Sequence, residues 1–275
     1  MTLPPIKLLR QRLPNLWRVF TVLPLCMFVS ILLAQPSWCG PIYVFKQKDG
    51  SIRFTNKKPP SGVNAKVFEL KKPLRIGSGW FTKSGEIVTN YHVIDGARSI
   101  CITIANGRRM SASVKRIDPI NDLALLTPES TQGIPQGLAI SAKTTGMGAA
   151  VFTIGYPLTD VLGNDAPKLT NGIVSAVGSK IQISVPIQPG NSGGALINQE
   201  TGEVVGVVVS KLTRTGASEI IPEGVGFAVR VEHIQKLIGS RAASQSFSRQ
   251  PRRRFPLEYF AEQSSKSVVL VETFD

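Results

Sequence analysis

The sequence predicts an all-β fold, and three observations carry the prediction. β-branched residues are plentiful and fall in short apolar runs rather than long amphipathic stretches. Glycine occurs 25 times and proline 19 times, scattered along the chain as turn punctuation between those runs. No repeat with a period of 20–50 residues stands out, so the chain is not a solenoid or a propeller. At 275 residues, with ordinary apolar content and low charge density, the chain can bury one large core or two small ones.

The first 39 residues read as a targeting segment. Lys7, Arg10, Arg12 and Arg18 precede a mainly apolar run, Val19 to Ala34, and no acidic residue occurs before Asp49. A basic start followed by a short apolar run is the pattern of a secretory signal peptide. The run has 16 residues and contains Pro24, which is short for a membrane span. Cleavage after Ala34 and after Cys39 both fit, and an uncleaved signal anchor is the competing reading. Cys26 and Cys39 lie within this segment, leaving Cys101 in the Cys101-Ile102-Thr103-Ile104 alternation as a buried small hydrophobe. With cleavage after Cys39 no intramolecular disulfide remains, and the core alone stabilises the exported chain. The cysteines and histidines show no metal-ligand spacing. No metal and no cofactor is expected.

Residues 41–65 form a small β-hairpin module. Ile42 to Lys46 and Ser51 to Thr55 are rich in β-formers and flank Asp49-Gly50, a hairpin turn signal. An independent module and a strand pair extending the next domain are both compatible with this stretch. The stretch resembles a short N-terminal domain of unknown function found on exported bacterial proteins.

The main domain spans 66–239. Its centre is Gly190-Asn191-Ser192-Gly193-Gly194, a serine among glycines that permit a tight turn and a close backbone approach. Such a turn presents the hydroxyl and leaves main-chain N–H groups free beside it, as an oxyanion hole requires. Alone, the stretch is equally a Gly-rich β-turn. The upstream residues decide the matter. The stretch from Gly77 to Ile94 reads as a hairpin turning at Lys83-Ser84-Gly85, with His92 at the end of its second strand, and Asp122 leads into the apolar Leu123-Ala124-Leu125-Leu126 run. A carboxylate at the rim of a sheet can accept from a histidine N–H and fix its tautomer. A serine hydroxyl needs a base near neutral pH, and the base needs an orienting acid. His233 lies on an amphipathic, helix-like segment, and Asp118 precedes a proline, so neither joins the set.

Together Gly77-Ser78-Gly79-Trp80, Thr89-Asn90-Tyr91-His92, Asp122-Leu123-Ala124-Leu125 and Pro189-Gly190-Asn191-Ser192-Gly193-Gly194 resemble a trypsin-like serine protease of the HtrA/Deg-like subgroup. The likeness continues through Ile154-Gly155-Tyr156-Pro157, Thr170 to Gly178 and Gly224 to Val229, and covers roughly 72–239. It implies two six-stranded antiparallel β-barrels, over about 66–130 and 135–230, with a helix at Val231 to Ile238. It also implies Ser192 as nucleophile, His92 as general base and then acid, Asp122 as orienting carboxylate, and the Gly190 and Ser192 N–H groups as oxyanion hole. Asn191 stands where digestive relatives carry an acid, so no ion pair with a freshly cut N-terminus is expected. Pro186 falls at the floor of the primary specificity pocket, with Val209, Ser210 and Val225 as its walls. A pocket without charge cannot repay desolvation of Lys or Arg. Cleavage after small or medium apolar residues is therefore expected, in protein or peptide substrates.

The subgroup commonly carries a PDZ domain after the barrels. Only 35 residues follow Ser240, too few for one, and they open Ser-, Arg- and Gln-rich. They read as a basic, flexible tail with a final strand near Ser267 to Val271; disorder and docking onto the barrel both fit. The formal charge is +14, or about +10 without the first 40 residues, which favours anionic surfaces such as lipid headgroups or envelope polymers. Scattered basic residues and few aromatics argue against nucleic acid as a partner. The sequence sets no oligomeric state. A protease fold retained as a binding or scaffold protein is the alternative function.

Overall fold

Short apolar runs become barrel strands because each strand has two faces to bury. A computed structural model describes residues 42–47, 50–55, 59, 62–68, 72–163, 166–210, 224–239 and 256–275. The proposed targeting segment lies outside these residues, as does the Arg-rich part of the tail. Among the described residues no helix is long and apolar enough to cross a membrane.

Strands β1 (Ile42–Lys46), β2 (Ile52–Thr55) and β3 (Lys66–Phe68) form an antiparallel sheet in the order β2-β1-β3. The expected hairpin is therefore two strands of three. Lys66, taken as the start of the main domain, pairs back on β1 at Val44.

The first barrel is β4 (Arg75–Phe81), β5 (Ile87–Thr89), β6 (Ser99–Ile104), β7 (Arg109–Asp118), β8 (Leu123–Pro128) and β15 (Val268–Phe274). The second is β9 (Ala150–Gly155), β10 (Lys168–Val177), β11 (Ile181–Ile183), β12 (Ala195–Asn198), β13 (Val204–Val209) and β14 (Gly226–Arg230). Both are closed, six-stranded and antiparallel, as expected. Among the described residues four helices accompany them: α1 (Tyr91–Ile94), α2 (Thr159–Leu162), α3 (Val231–Ile238) and α4 (Leu257–Ser265). The third matches the helix expected from the sequence.

Alternation explains why the strands read as continuous apolar runs. Phe81, Ile87, Ala124, Leu126, Val269 and Val271 fill the first barrel. Their neighbours Trp80, Val88, Leu123, Leu125, Val268 and Leu270 face the other way, into a cluster shared with Phe152, Ile154, Ala195, Ile197 and Val207 of the second barrel. Side chains alternate across a strand, so a strand buried on both faces is apolar at every position. Val231, Ile234 and Leu237 on one face of α3 join the same shared cluster. Arg116 on β7 donates to the Leu237 carbonyl at 3.0 Å, satisfying an orphan acceptor at the helix end.

The expectation of a flexible tail over 240–275 is corrected for its last part. Strand β15 lies between β4 and β6 and closes the first barrel, with Leu270 opposite Ser78 and Val271 opposite Ile102. Val268 to Val271 are buried on both faces. The first barrel thus starts at Arg75 and takes its sixth strand from the far end of the described chain. Glu272 on this strand is buried, and Arg109 of β7 holds it at 2.5 Å. Desolvation nonetheless pushes its carboxyl above the usual range against the pull of Arg109.

Leu270→Ala removes a side chain from the shared cluster. It is expected to cost roughly 2–5 kcal/mol of stability, read as a lowered denaturation midpoint in urea.

Candidate active site

The site is built where the ends of both barrels meet. After β5 the chain turns into α1, which carries His92. Asp122 immediately precedes β8 and adopts the left-handed conformation, φ 55°. Asp is among the few residues that tolerate it. In that conformation the Asp122 carboxylate grips His92 twice. Oδ1 accepts from the His92 main-chain N–H at 2.9 Å, and Oδ2 pairs with the ring Nδ1 at 2.7 Å. With Nδ1 donating to the carboxylate, Nε2 carries the lone pair that a base uses. Asn90, fully buried, donates from Nδ2 to the Asp122 carbonyl at 2.8 Å and fixes the turn. Asp118 accepts instead from Asn121, within the same loop.

Ser192 comes from the second barrel, on the turn that leads into β12. Two glycines there are required by backbone geometry. Gly190 has φ +96°, and a Cβ on it would lie 2.3 Å from the Tyr156 carbonyl oxygen. Gly193 has φ +88°, and its Cβ would lie 2.1 Å from the Ser78 carbonyl oxygen and 3.0 Å from the Asn90 nitrogen. The serine turn is therefore pressed against the strand that leads to His92. The Ser78 N–H donates to the Ser192 carbonyl at 2.8 Å across the two barrels.

Neither the Gly190 N–H nor the Ser192 N–H has an acceptor among the described residues. The Asn191 and Gly193 N–H groups, by contrast, bond to the Gln188 and Val208 carbonyls. The two unpaired donors are those expected of an oxyanion hole. The Ser192 hydroxyl itself is engaged by Ser210. It accepts from the Ser210 N–H at 3.1 Å and shares a hydrogen bond with the Ser210 hydroxyl. Ser210, expected as a pocket wall, thus touches the nucleophile candidate directly.

The remaining pocket residues divide. Val209 is buried and Val225 half-buried, whereas Pro186 is exposed. The fully buried apolar group beside Pro186 is Val185, and Ile187 packs towards Gly226. Burial raises the Tyr156 phenol to about 12, so it stays neutral at the edge of the site. Among the described residues no three His, Cys, Asp or Glu side chains converge as metal ligands.

Sequence reasoning missed Ser78, Asn90 and Leu158. The signal for Ser78 was its place between Gly77 and Gly79, which marks a close approach. A Cβ on Gly77 would meet Val93 at 2.7 Å and the Ser192 carbonyl oxygen at 3.1 Å. Leu158, at φ 45°, and Asp122 are the only non-glycine residues with positive φ among those described.

Asp122→Asn keeps the shape but loses the charge that holds the His92 ring. It is expected to lower kcat by about 10³–10⁴ with little change in thermal midpoint. Steady-state kinetics beside a melting curve check this.

Residues 77–207 match the trypsin-like peptidase domain. A Sinorhizobium fredii protein, uncharacterized protein y4bJ, is 42% identical over 164 residues, covering 56% of this chain and 25% of that protein. The serine protease Do-like HtrA of Lactococcus lactis is 36% identical over 194 residues, covering 63% of this chain and 46% of the relative. The chain thus spans from a quarter to about half the length of these curated relatives. The crystal structure of the serine endoprotease from Yersinia pestis matches with a TM-score of 0.51 at 27% identity, covering 74% of this chain and 63% of that one. Fold and sequence matches agree that residues 77–207 are similar to the trypsin-like peptidase domain and to the protease domain of HtrA-type serine proteases.

Proposed function

We propose that this chain is an exported serine endopeptidase working through Ser192, His92 and Asp122. One observation carries the reading. The Asp122 carboxylate holds both the main chain and the ring of His92, beside a turn whose Gly190 and Ser192 N–H groups have no acceptor among the described residues. His92 Nε2 takes the Ser192 hydroxyl proton as Oγ bonds to the scissile carbonyl carbon. The carbonyl oxygen becomes an oxyanion and sits between the two N–H groups. The C–N bond then breaks, and the imidazolium returns the proton to the leaving amine. Water hydrolyses the ester by the same route in reverse order.

The substrate reading is an unfolded envelope protein cut after small or medium apolar residues. Uncharged residues around the pocket, Val185, Val209 and Val225, support it. The basic surface favours action near anionic lipid headgroups or envelope polymers. Export rests on the sequence pattern of residues 1–39.

A second reading, a binding or scaffold protein, draws on the contact between the Ser192 and Ser210 hydroxyls, which occupies the nucleophile. Degradation of casein by the chain and by Ser192→Ala separates the two. The endopeptidase reading expects hydrolysis that the substitution abolishes, and covalent labelling of Ser192 by a fluorophosphonate. Absence of both cleavage and labelling would leave the binding reading.

Specificity is checked with a panel of peptides. Cleavage after Val, Ala or Leu is expected, and cleavage confined to Lys and Arg would overturn the pocket assignment.

A further inference from the structure

We infer that Ser78, on the first barrel, is the positioning residue for the oxyanion hole of the second. The inference rests on Ser192 as nucleophile and on the Gly190 and Ser192 N–H groups as the oxyanion donors.

The carbonyl and N–H of one peptide unit point in opposite directions, so a donor that holds a carbonyl also aims the N–H of the next residue. Four consecutive carbonyls of the serine turn are held in this way. The Pro189 carbonyl accepts from the Leu158 N–H at 2.8 Å, and the Gly190 carbonyl accepts from the Ser78 hydroxyl at 2.7 Å. The Asn191 carbonyl accepts from the Gly194 N–H at 2.9 Å, and the Ser192 carbonyl accepts from the Ser78 N–H at 2.8 Å. Three of these donors are main-chain groups. The Pro189 and Asn191 carbonyls, whose peptide units carry the Gly190 and Ser192 N–H groups, are held by Leu158 and Gly194. Ser78 holds the Gly190 and Ser192 carbonyls, the units that follow each oxyanion donor, and its hydroxyl is the single side chain among the four.

Ser78 is fully buried. Its hydroxyl spends its one proton on Gly190 and accepts from the Tyr156 N–H at 2.9 Å. That second bond ties the turn to the end of β9, two residues before Leu158. The Ser78 carbonyl in turn accepts from the Thr89 hydroxyl at 2.7 Å, on the strand that leads to His92. Ser78 thus links the base-bearing strand, the oxyanion turn and the Tyr156–Leu158 segment. Gly190 has no Cβ to restrict rotation, so the peptide unit between the two oxyanion donors depends on the Ser78 hydroxyl to hold it, and through it the donor units on either side. Gly155 leaves room for that clamp. A Cβ on Gly155 would lie 2.7 Å from the Ser78 hydroxyl and 3.0 Å from the Asn191 side-chain oxygen.

The clamp touches no substrate, so its loss weakens the transition state and spares ground-state binding. The test uses the full chain with Ser78→Ala, which removes the hydroxyl, and Gly155→Ala, which displaces it. Each is assayed on a fluorogenic peptide and with two inhibitors of the same sequence. One ends in an aldehyde, whose hemiacetal oxygen enters the oxyanion hole; the other ends in the corresponding alcohol, which does not react. Both variants are expected to lower kcat and aldehyde affinity by about 10-fold or more, with KM and alcohol affinity within about twofold of the parent. Unchanged kcat in both variants overturns the inference. So does equal weakening of aldehyde and alcohol, which marks a general loosening of the site. If Ser78→Ala does not fold, Gly155→Ala decides by the same criteria. Ser192→Ala run alongside separates the two levels. Activity retained there sinks the underlying reading, whereas full activity in the Ser78 and Gly155 variants with an inactive Ser192→Ala sinks this inference alone.

Discussion

The hydrogen bond from the Ser78 N–H to the Ser192 carbonyl, 2.8 Å long, joins the two barrels at the point where the site must be assembled. Each barrel can close its own sheet without the other, but neither holds the whole constellation. His92 and Asp122 belong to the first and Ser192 to the second. A misplacement of about 1 Å between such groups is costly in rate, so the seam must be stiff. Stiffness comes from packing as well as from that bond. Trp80, Leu123 and Leu125 of the first barrel interlock with Phe152, Ile154 and Ala195 of the second. The seam is therefore a core, and the site sits where the two barrels meet across it.

The glycines serve this seam. At Gly190 and Gly193 the neighbouring main chain comes closer than any Cβ allows, and both have positive φ. Replacing either would push the serine turn off the strand that leads to His92. The two non-glycine residues with positive φ among those described, Asp122 and Leu158, lie on either side of the same seam. One aims the carboxylate at His92, and the other donates to the Pro189 carbonyl behind the serine turn. Backbone conformations that cost free energy are thus concentrated around the site, where surrounding contacts hold them in place.

Closure of the first barrel has a different logic. Strand β15 pairs with both β4 and β6, so the strand that carries Ser78 depends on residues nearly 200 positions later in the chain. The Thr273 hydroxyl is hydrogen-bonded at 3.2 Å to both the N–H and the carbonyl of Arg75, locking the register at the start of β4. Contacts of such sequence separation form slowly, because a long loop must close before they stabilise anything. The C-terminal strand is accordingly part of the site's scaffold rather than an appendage to it.

The sequence by itself determined the all-β class and the helix at Val231–Ile238, and named His92, Asp122 and Ser192 as the candidate site. These are local properties: alternation, turn residues and short motifs each act within a few positions. The Gly-rich frame around Ser192 was legible because close backbone approach leaves glycine as the only residue that fits. Only the tertiary structure decided the rest. That β15 completes the first barrel depends on pairing across most of the chain, and a short apolar run after a polar stretch does not announce its partner. That Lys66–Phe68 joins β1 instead of the barrel is likewise a choice between competing sheet edges. The contact of Ser210 with the Ser192 hydroxyl, the exposure of Pro186 and the clamp at Ser78 arise from how two barrels meet. Their physical basis is the distance between main-chain atoms on different strands, a quantity that no local pattern of side chains encodes.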